Sequence, residues 1–125
     1  MANSCKSLWL EDPGRGDWGF RVGAKPTRTA VQAIDMPTLL SRFDERTCVP
    51  FVCKIDIEGG EEMLFASNDQ WIERFPLLII ELHDWMLPGT SNSRNFLRAI
   101  SQRQFDVLWR GENMFCFNND LLSGT

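Results

Sequence analysis

An α/β domain built on a mostly parallel sheet, with a C-terminal antiparallel hairpin, is the fold this sequence predicts. Two nearly continuous apolar runs, Phe51 to Ile57 and Leu77 to Leu82, are separated by one helical segment, the pattern of parallel strands buried on both faces. A last pair of runs, Phe105 to Trp109 and Met114 to Phe117, flanks Arg110-Gly111-Glu112-Asn113 and reads as a hairpin with a glycine-containing turn. At 125 residues the chain holds one domain. It is short for a complete doubly wound sheet, because each βαβ unit takes about 30 residues or more. Part of such a sheet is therefore expected to be missing.

Residues 1–18 carry Pro13, Gly14 and Gly16 among charges and sustain no period, so they read as an irregular lead-in to a domain spanning 19–120. Two short strands follow, Gly19 to Val22 and Ala30 to Ile34, on either side of the turn-rich GAKPTRT. Asp35 and then Pro37, with apolar Leu39, Leu40 and Phe43, have the form of an N-capped helix that ends near Arg46. The strand Phe51 to Ile57 is rich in β-branched and aromatic side chains and stops at Gly59-Gly60. Glu61 to Ala66 turns helical, Ser67 to Gln70 has capping-box spacing, and Trp71, Ile72 and Phe75 continue an apolar helical face up to Pro76. After the strand Leu77 to Leu82, the stretch HDWMLPGTSN reads as a loop. Ser91 or Ser93 then caps a helix that buries Phe96, Leu97 and Ile100.

Composition narrows the partners. Hydrophobic residues make up 43% and include nine Phe and five Trp, enough to build a core. Thirteen Lys and Arg against 17 Asp and Glu leave a net charge of −4 with no basic stripe, which argues against nucleic acid. No apolar run reaches the length of a signal-peptide core or a membrane span, so no membrane partner and a cytoplasmic location are expected. The cysteines at 5, 48, 53 and 116 form no C-x-x-C pair and have one histidine to help them, so no metal is assigned to them and they read as reduced, mostly buried thiols. The five tryptophans read as core or edge packing, with Trp85 placed in the loop where it would cover a ligand.

Charge sits where a buried strand should have none. In Lys54-Ile55-Asp56-Ile57-Glu58 the ionisable residues alternate, which puts Lys54, Asp56 and Glu58 on one face. Glu81, His83 and Asp84 close the second apolar strand in the same way. An unpaired charge inside a sheet costs several kcal/mol, so these groups must pair or face a wet crevice. Open α/β sheets bind ligands at the carboxyl ends of their strands, where two parallel neighbours would gather Asp56, Glu58, Glu81 and His83. Such a cluster is able to hold or deprotonate a substrate hydroxyl. Glu61 and Glu62 read as a helix-start preference for acidic residues.

The string VCKIDIEGGEEMLFAS, followed by PLLIIELHDW, resembles the FkbM-type family of S-adenosylmethionine-dependent methyltransferases. Lys54, Asp56, Glu58, Gly59 and Glu61 match its K-x-D-x-E-G-x-E element, and Ile79 to His83 match the following block. Val31 to Leu40 resemble a third block, with Ile34 standing where the family has leucine before Asp35. The likeness covers about residues 19–117. It implies part of a Rossmann-like class I methyltransferase sheet that passes a methyl group to a hydroxyl of a small-molecule or glycan substrate. By that resemblance Asp56 and His83 are catalytic, His83 being the first candidate base, while Lys54, Glu58 and Glu81 serve substrate binding. The family's glycine-rich cofactor turn and the acidic residue for the ribose have no counterpart before Lys54. The likeness is thus to the C-terminal half, no cofactor-binding residue is assignable, and the chain alone is expected to bind S-adenosylmethionine weakly or not at all.

Two alternatives follow from the same residues. One is a non-catalytic module that pairs through an exposed sheet edge, as a homo-oligomer or with a missing N-terminal segment. The other is a metal-dependent hydrolase built on Asp56, Glu58, Glu81 and His83.

Overall fold

A computed structural model of the chain describes residues 6–11, 21–23, 25–26 and 29–124. Its strands form two sheets. β1 (Lys6–Glu11), β2 (Arg21–Gly23) and β3 (Ala30–Ala33) make a three-stranded antiparallel sheet in the order β2-β1-β3. After α1 (Met36–Leu40), the larger sheet takes β4 (Val52–Ile55), β5 (Leu77–Glu81), β6 (Phe105–Arg110) and β7 (Asn113–Asn118) in the order β4-β5-β7-β6. Between these strands lie α2 (Glu61–Leu64), a 3-10 helix at Asp69–Arg74 and α3 (Arg94–Ser101), and α4 (Asn119–Leu122) follows β7.

The segment expected to be an irregular lead-in supplies β1; its residues 12–18 lie outside the described residues. Only three consecutive apolar residues, Leu8 to Leu10, mark that strand, too few to show a period. Pairing does the rest, with Leu8 set opposite Val31 and Leu10 opposite Val22.

The larger sheet is mixed rather than mostly parallel. β4 and β5 are parallel, whereas β7 runs antiparallel to both β5 and β6. The hairpin accounts for this, because it folds back with its second strand against β5, leaving β6 pointing the same way as β4 and β5. Gly111, at φ 60°, supplies the left-handed turn that joins the two hairpin strands. Among the described residues β4 pairs with β5 alone and so forms an edge, with its own Val52 and the preceding Phe51 exposed.

One face of the sheet is buried. Cross-strand neighbours Cys53, Leu78 and Cys116, and Ile55, Ile80 and Met114, line it in register. Phe65, Trp71, Ile72 and Phe75 from the first connection, and Phe96, Ala99 and Ile100 from α3, cover it. Phe65 is the hinge of that layer, 5.6 Å from the Trp71 ring and 5.1 Å from the Phe96 ring. On the opposite face Leu77, Ile79, Phe115 and Phe117 stay half-buried, and Val52 and Leu108 are exposed. The apolar strands are thus buried on one face, not two.

Local differences have local causes. Asp35 caps α1 as expected, accepting the Thr38 N–H at 2.8 Å, but the helix stops at Leu40 instead of Arg46. Beyond it the chain runs on as turns: the Arg42 and Phe43 amides donate to the Leu39 and Leu40 carbonyls at 3.2 Å, and the Asp44 carbonyl then takes the Thr47 and Cys48 amides at 2.9 and 2.8 Å while its carboxylate takes the Arg46 guanidinium at 2.8 Å. Phe43, beyond the helix, is exposed. Asn68, in the left-handed region at φ 55°, precedes the 3-10 helix without a side-chain cap, so the capping-box spacing at Ser67 is not realised. In α3 the buried stripe is Phe96, Ala99 and Ile100, and Leu97 is exposed. Of the described cysteines, Cys48 is exposed and Cys53 half-buried, so only Cys116 meets the buried-thiol expectation; burial pushes its pKa up to about 12 and removes it as a nucleophile. No helix is long and apolar enough to cross a membrane among the described residues.

Replacing Leu78, which is fully buried at the centre of the sheet, with Ala is expected to cost about 3 kcal/mol by urea unfolding. Leu108→Ser on the open face should stay within about 0.5 kcal/mol of the parent. Equal losses for the two would show that the faces are assigned the wrong way round.

Candidate functional site

Parallel register sets the carboxyl ends of β4 and β5 side by side, pairing Ile55 with Ile80 and placing Asp56 next to Glu81. On the other flank of β5, Glu81 faces Asn113 at the start of β7. After Ile55 the chain leaves the sheet through a tight turn, with Glu58 at φ 50° and Gly59 at φ 94°. The positive φ favours glycine at 59, and a Cβ there would also lie 2.8 Å from the tip of the Leu87 side chain, which would have to shift. A left-handed conformation at Glu58 costs about 1–2 kcal/mol, a strain typical of functional turns. The turn delivers Glu61 as the first residue of α2.

Glu61 is fully buried, and so are the two side chains it binds. One of its carboxylate oxygens accepts from His83 Nδ1 at 2.6 Å and from the Gly59 N–H at 3.4 Å. The other accepts from Asn92 Nδ2. A carboxylate facing Nδ1 fixes the tautomer from the hydrogen-bond network, leaving Nε2 directed at the sheet end. There Nε2 meets Asp56 Oδ1 at 3.6 Å, Glu81 Oε1 at 3.6 Å and Glu58 Oε2 at 3.8 Å. None of these is a hydrogen bond, so this nitrogen, on a side chain 1% exposed, has no such partner among the described residues.

The five residues singled out from the sequence are gathered here. Lys54 stands at the rim, its Nζ donating to Asn113 Oδ1 at 2.7 Å and lying 3.8 Å from Asp56. Burial and then the Asp56 charge hold the Glu81 carboxyl above its usual pKa; His83 and Lys54 oppose that shift and Glu112 adds to it. One oxygen each from Asp56 and Glu81 and a nitrogen of His83 lie within 4.8 Å of one another, a set able to hold a metal ion.

Beside the cluster opens a cavity of about 490 Å³ lined by Glu81, Leu82, Trp85, Trp109 and Glu112. Trp85 is 66% exposed and its ring lies 6.3 Å from that of His83, while Trp109 is 55% exposed, so these two are site walls rather than core. Trp71 alone among the tryptophans of the described core is buried.

Two members of the site escape sequence reasoning. Glu61 closes the K-x-D-x-E-G-x-E match and otherwise reads as an acidic residue at a helix start, and neither assigns it a role, because its partners are 22 and 31 positions away. Asn92 carries no signal in a loop of Ser, Thr and Gly. The signal that was present is the chain's single histidine, which once buried must have a partner.

Compared with protein-family models, with curated proteins and with solved structures, the chain matches none.

Glu61→Ala would leave His83 Nδ1 and Asn92 Nδ2 buried without an acceptor, at about 1–3 kcal/mol each, so urea unfolding should register a loss of about 3 kcal/mol. Glu81→Gln should do the reverse. A carboxyl whose pKa is raised by folding stabilises the fold when protonated and loses that contribution as pH rises through the folded value. The variant is therefore expected to melt slightly above the parent at neutral pH, with the gain vanishing in acid. A lower melting midpoint for Glu81→Gln at neutral pH would contradict this electrostatic picture.

Proposed function

We propose that this chain carries the acceptor side of an S-adenosylmethionine-dependent methyltransferase, the part that holds a substrate hydroxyl and takes its proton. Supporting it is the FkbM-type resemblance of Lys54, Asp56, Glu58, Gly59 and Glu61 and of Ile79 to His83. The observation that carries it is the convergence of Asp56, Glu58, Glu81 and His83 Nε2, within 3.8 Å of that nitrogen, at the carboxyl ends of two parallel strands and beside an open cavity.

A hydroxyl placed among these groups finds a proton acceptor at either of two catalytic candidates. His83 Nε2 is the better one, being held in orientation through Nδ1 by Glu61. Asp56, 44% exposed, is the second and lies closer to solvent. Glu58 and Glu81 accept hydrogen bonds from neighbouring substrate hydroxyls, and Lys54 offsets part of the negative charge. The exposed faces of Trp85 and Trp109 suit a small polyol or glycan ring in the cavity.

The cofactor itself does not fit the described residues. Ahead of β4 these form an antiparallel sheet and α1, with no strand, glycine-rich turn and helix in succession. The reading therefore covers the acceptor side alone, and no step is routed through the cofactor.

Saturation-transfer NMR with a panel of unmethylated monosaccharides tests this directly. Binding is expected in the millimolar range, weakened about tenfold or more by Asp56→Asn, and calorimetry with S-adenosylmethionine should show no binding. Monosaccharide signals absent, or unchanged in Asp56→Asn, would sink the reading; tight cofactor binding would overturn its restriction to the acceptor side.

A further inference from the structure

We infer that the cluster at the ends of β4 and β5 is a divalent-cation site whose protein ligands are His83 Nε2, Asp56 Oδ1 and Glu81 Oε1.

The buried relay beneath it is the first reason. A histidine that ligates a metal almost always donates its other ring N–H to a carboxylate or carbonyl, which fixes the tautomer and aims the lone pair. Glu61 does this for His83 at 2.6 Å, and Asn92 secures the second Glu61 oxygen. Three fully buried polar side chains are thus committed to directing one nitrogen, and that nitrogen ends without a hydrogen bond. A lone pair facing three carboxylates is repulsive, and either a proton on Nε2 or a metal ion between them relieves it; the three oxygens at 3.6–3.8 Å from the nitrogen leave room for the ion.

Spacing is the second reason. With metal–ligand distances of about 2.0–2.2 Å, adjacent ligand atoms lie about 2.9 Å apart in an octahedron and about 3.4 Å apart in a tetrahedron. Nε2 is 3.6 Å from both the Asp56 and the Glu81 oxygen, and the three atoms span no more than 4.8 Å. The two Nε2–oxygen distances close with shifts of a few tenths of an ångström, whereas the two oxygens, within 4.8 Å of each other, would have to approach by up to about 1.4 Å for a tetrahedron, a movement that side-chain rotation of the half-exposed Asp56 supplies. Asp56 is 44% exposed, which leaves open positions for water and for a substrate oxygen.

Charge is the third. The near cation, Lys54, lies 3.8 Å from Asp56 and is engaged by Asn113. One imidazole nitrogen with two carboxylates favours Mn²⁺, Fe²⁺ or Zn²⁺ over Ca²⁺, which prefers six or more oxygens.

For what the ion does, this rests on the acceptor-side reading. A cation held by these three ligands would make a bound hydroxyl more acidic, and the Glu58 carboxylate, 3.8 Å from His83 Nε2, would be the group placed to accept its proton. His83 then acts as a ligand, and Glu58 takes over as proton acceptor.

Titration with Mn²⁺, followed by electron paramagnetic resonance of the free ion and by thermal unfolding, tests the site without any substrate. Binding should remove the free-ion signal and raise the melting midpoint by about 5 °C or more at saturating Mn²⁺, with a smaller rise for Ca²⁺. Asp56→Asn and Glu81→Gln, checked for folding by circular dichroism, should each weaken binding about tenfold or more, and the exposed Glu62→Gln should not. An unchanged Mn²⁺ signal, or equal binding by all three variants, overturns the site. If Mn²⁺ fails to bind while monosaccharides still do, this inference falls and the acceptor-side reading stands; the opposite result spares the cation site and removes its proposed role.

Discussion

The bond between Glu61 and His83 is the constraint on which the end of the sheet depends. Both side chains are buried, and a carboxylate or an imidazole taken from water without a partner costs several kcal/mol. Each therefore commits the other. Satisfying Glu61 requires α2 to start where it does, which requires the left-handed turn at Glu58 and Gly59 and the close approach of Leu87 to a residue without a side chain. Satisfying its second oxygen requires Asn92, which sets the loop between β5 and α3. The aromatic contact between Phe65 and Phe96 holds the ends of α2 and α3 in the places these bonds demand.

Around this fixed relay the rim is electrostatically uncomfortable. Three carboxylates point at one nitrogen, Glu81 is held above its ordinary pKa by burial and by Asp56, and Glu58 sits in a backbone region that costs energy for any residue but glycine. Stability alone would remove these features, because neutral or apolar residues fit the same positions at lower cost. Unfavourable charge held in place by a buried, fully bonded support is the arrangement of a site that expects a cation, a proton or a polar substrate. The larger sheet shares this incompleteness, with one apolar face half-open and β4 bonded on one side only.

Much of this was legible from local pattern. Apolar runs, a proline and two glycines located β4, β5 and the hairpin, and alternating charge at Lys54, Asp56 and Glu58 picked out side chains that gather at the end of the sheet. What stayed hidden was set by partners distant in sequence. β1 is a strand because β2 and β3 flank it, the second sheet face is open because the helices gather on the first, and Leu97 is exposed because α3 turns Ala99 inward. Glu61 resembled a routine helix-start acid for the same reason, since nothing within several residues of it foretells His83 or Asn92.

Because the chain has a single histidine, its ring nitrogens are directly observable by long-range ¹H–¹⁵N correlation NMR. In metal-free protein the neutral form of the ring is expected to carry its proton on Nδ1, and Glu61→Gln should weaken or abolish that preference. Observation of the Nε2–H tautomer in the parent, or a tautomer indifferent to Glu61→Gln, would contradict the view that Glu61 aims His83 at the carboxylate cluster.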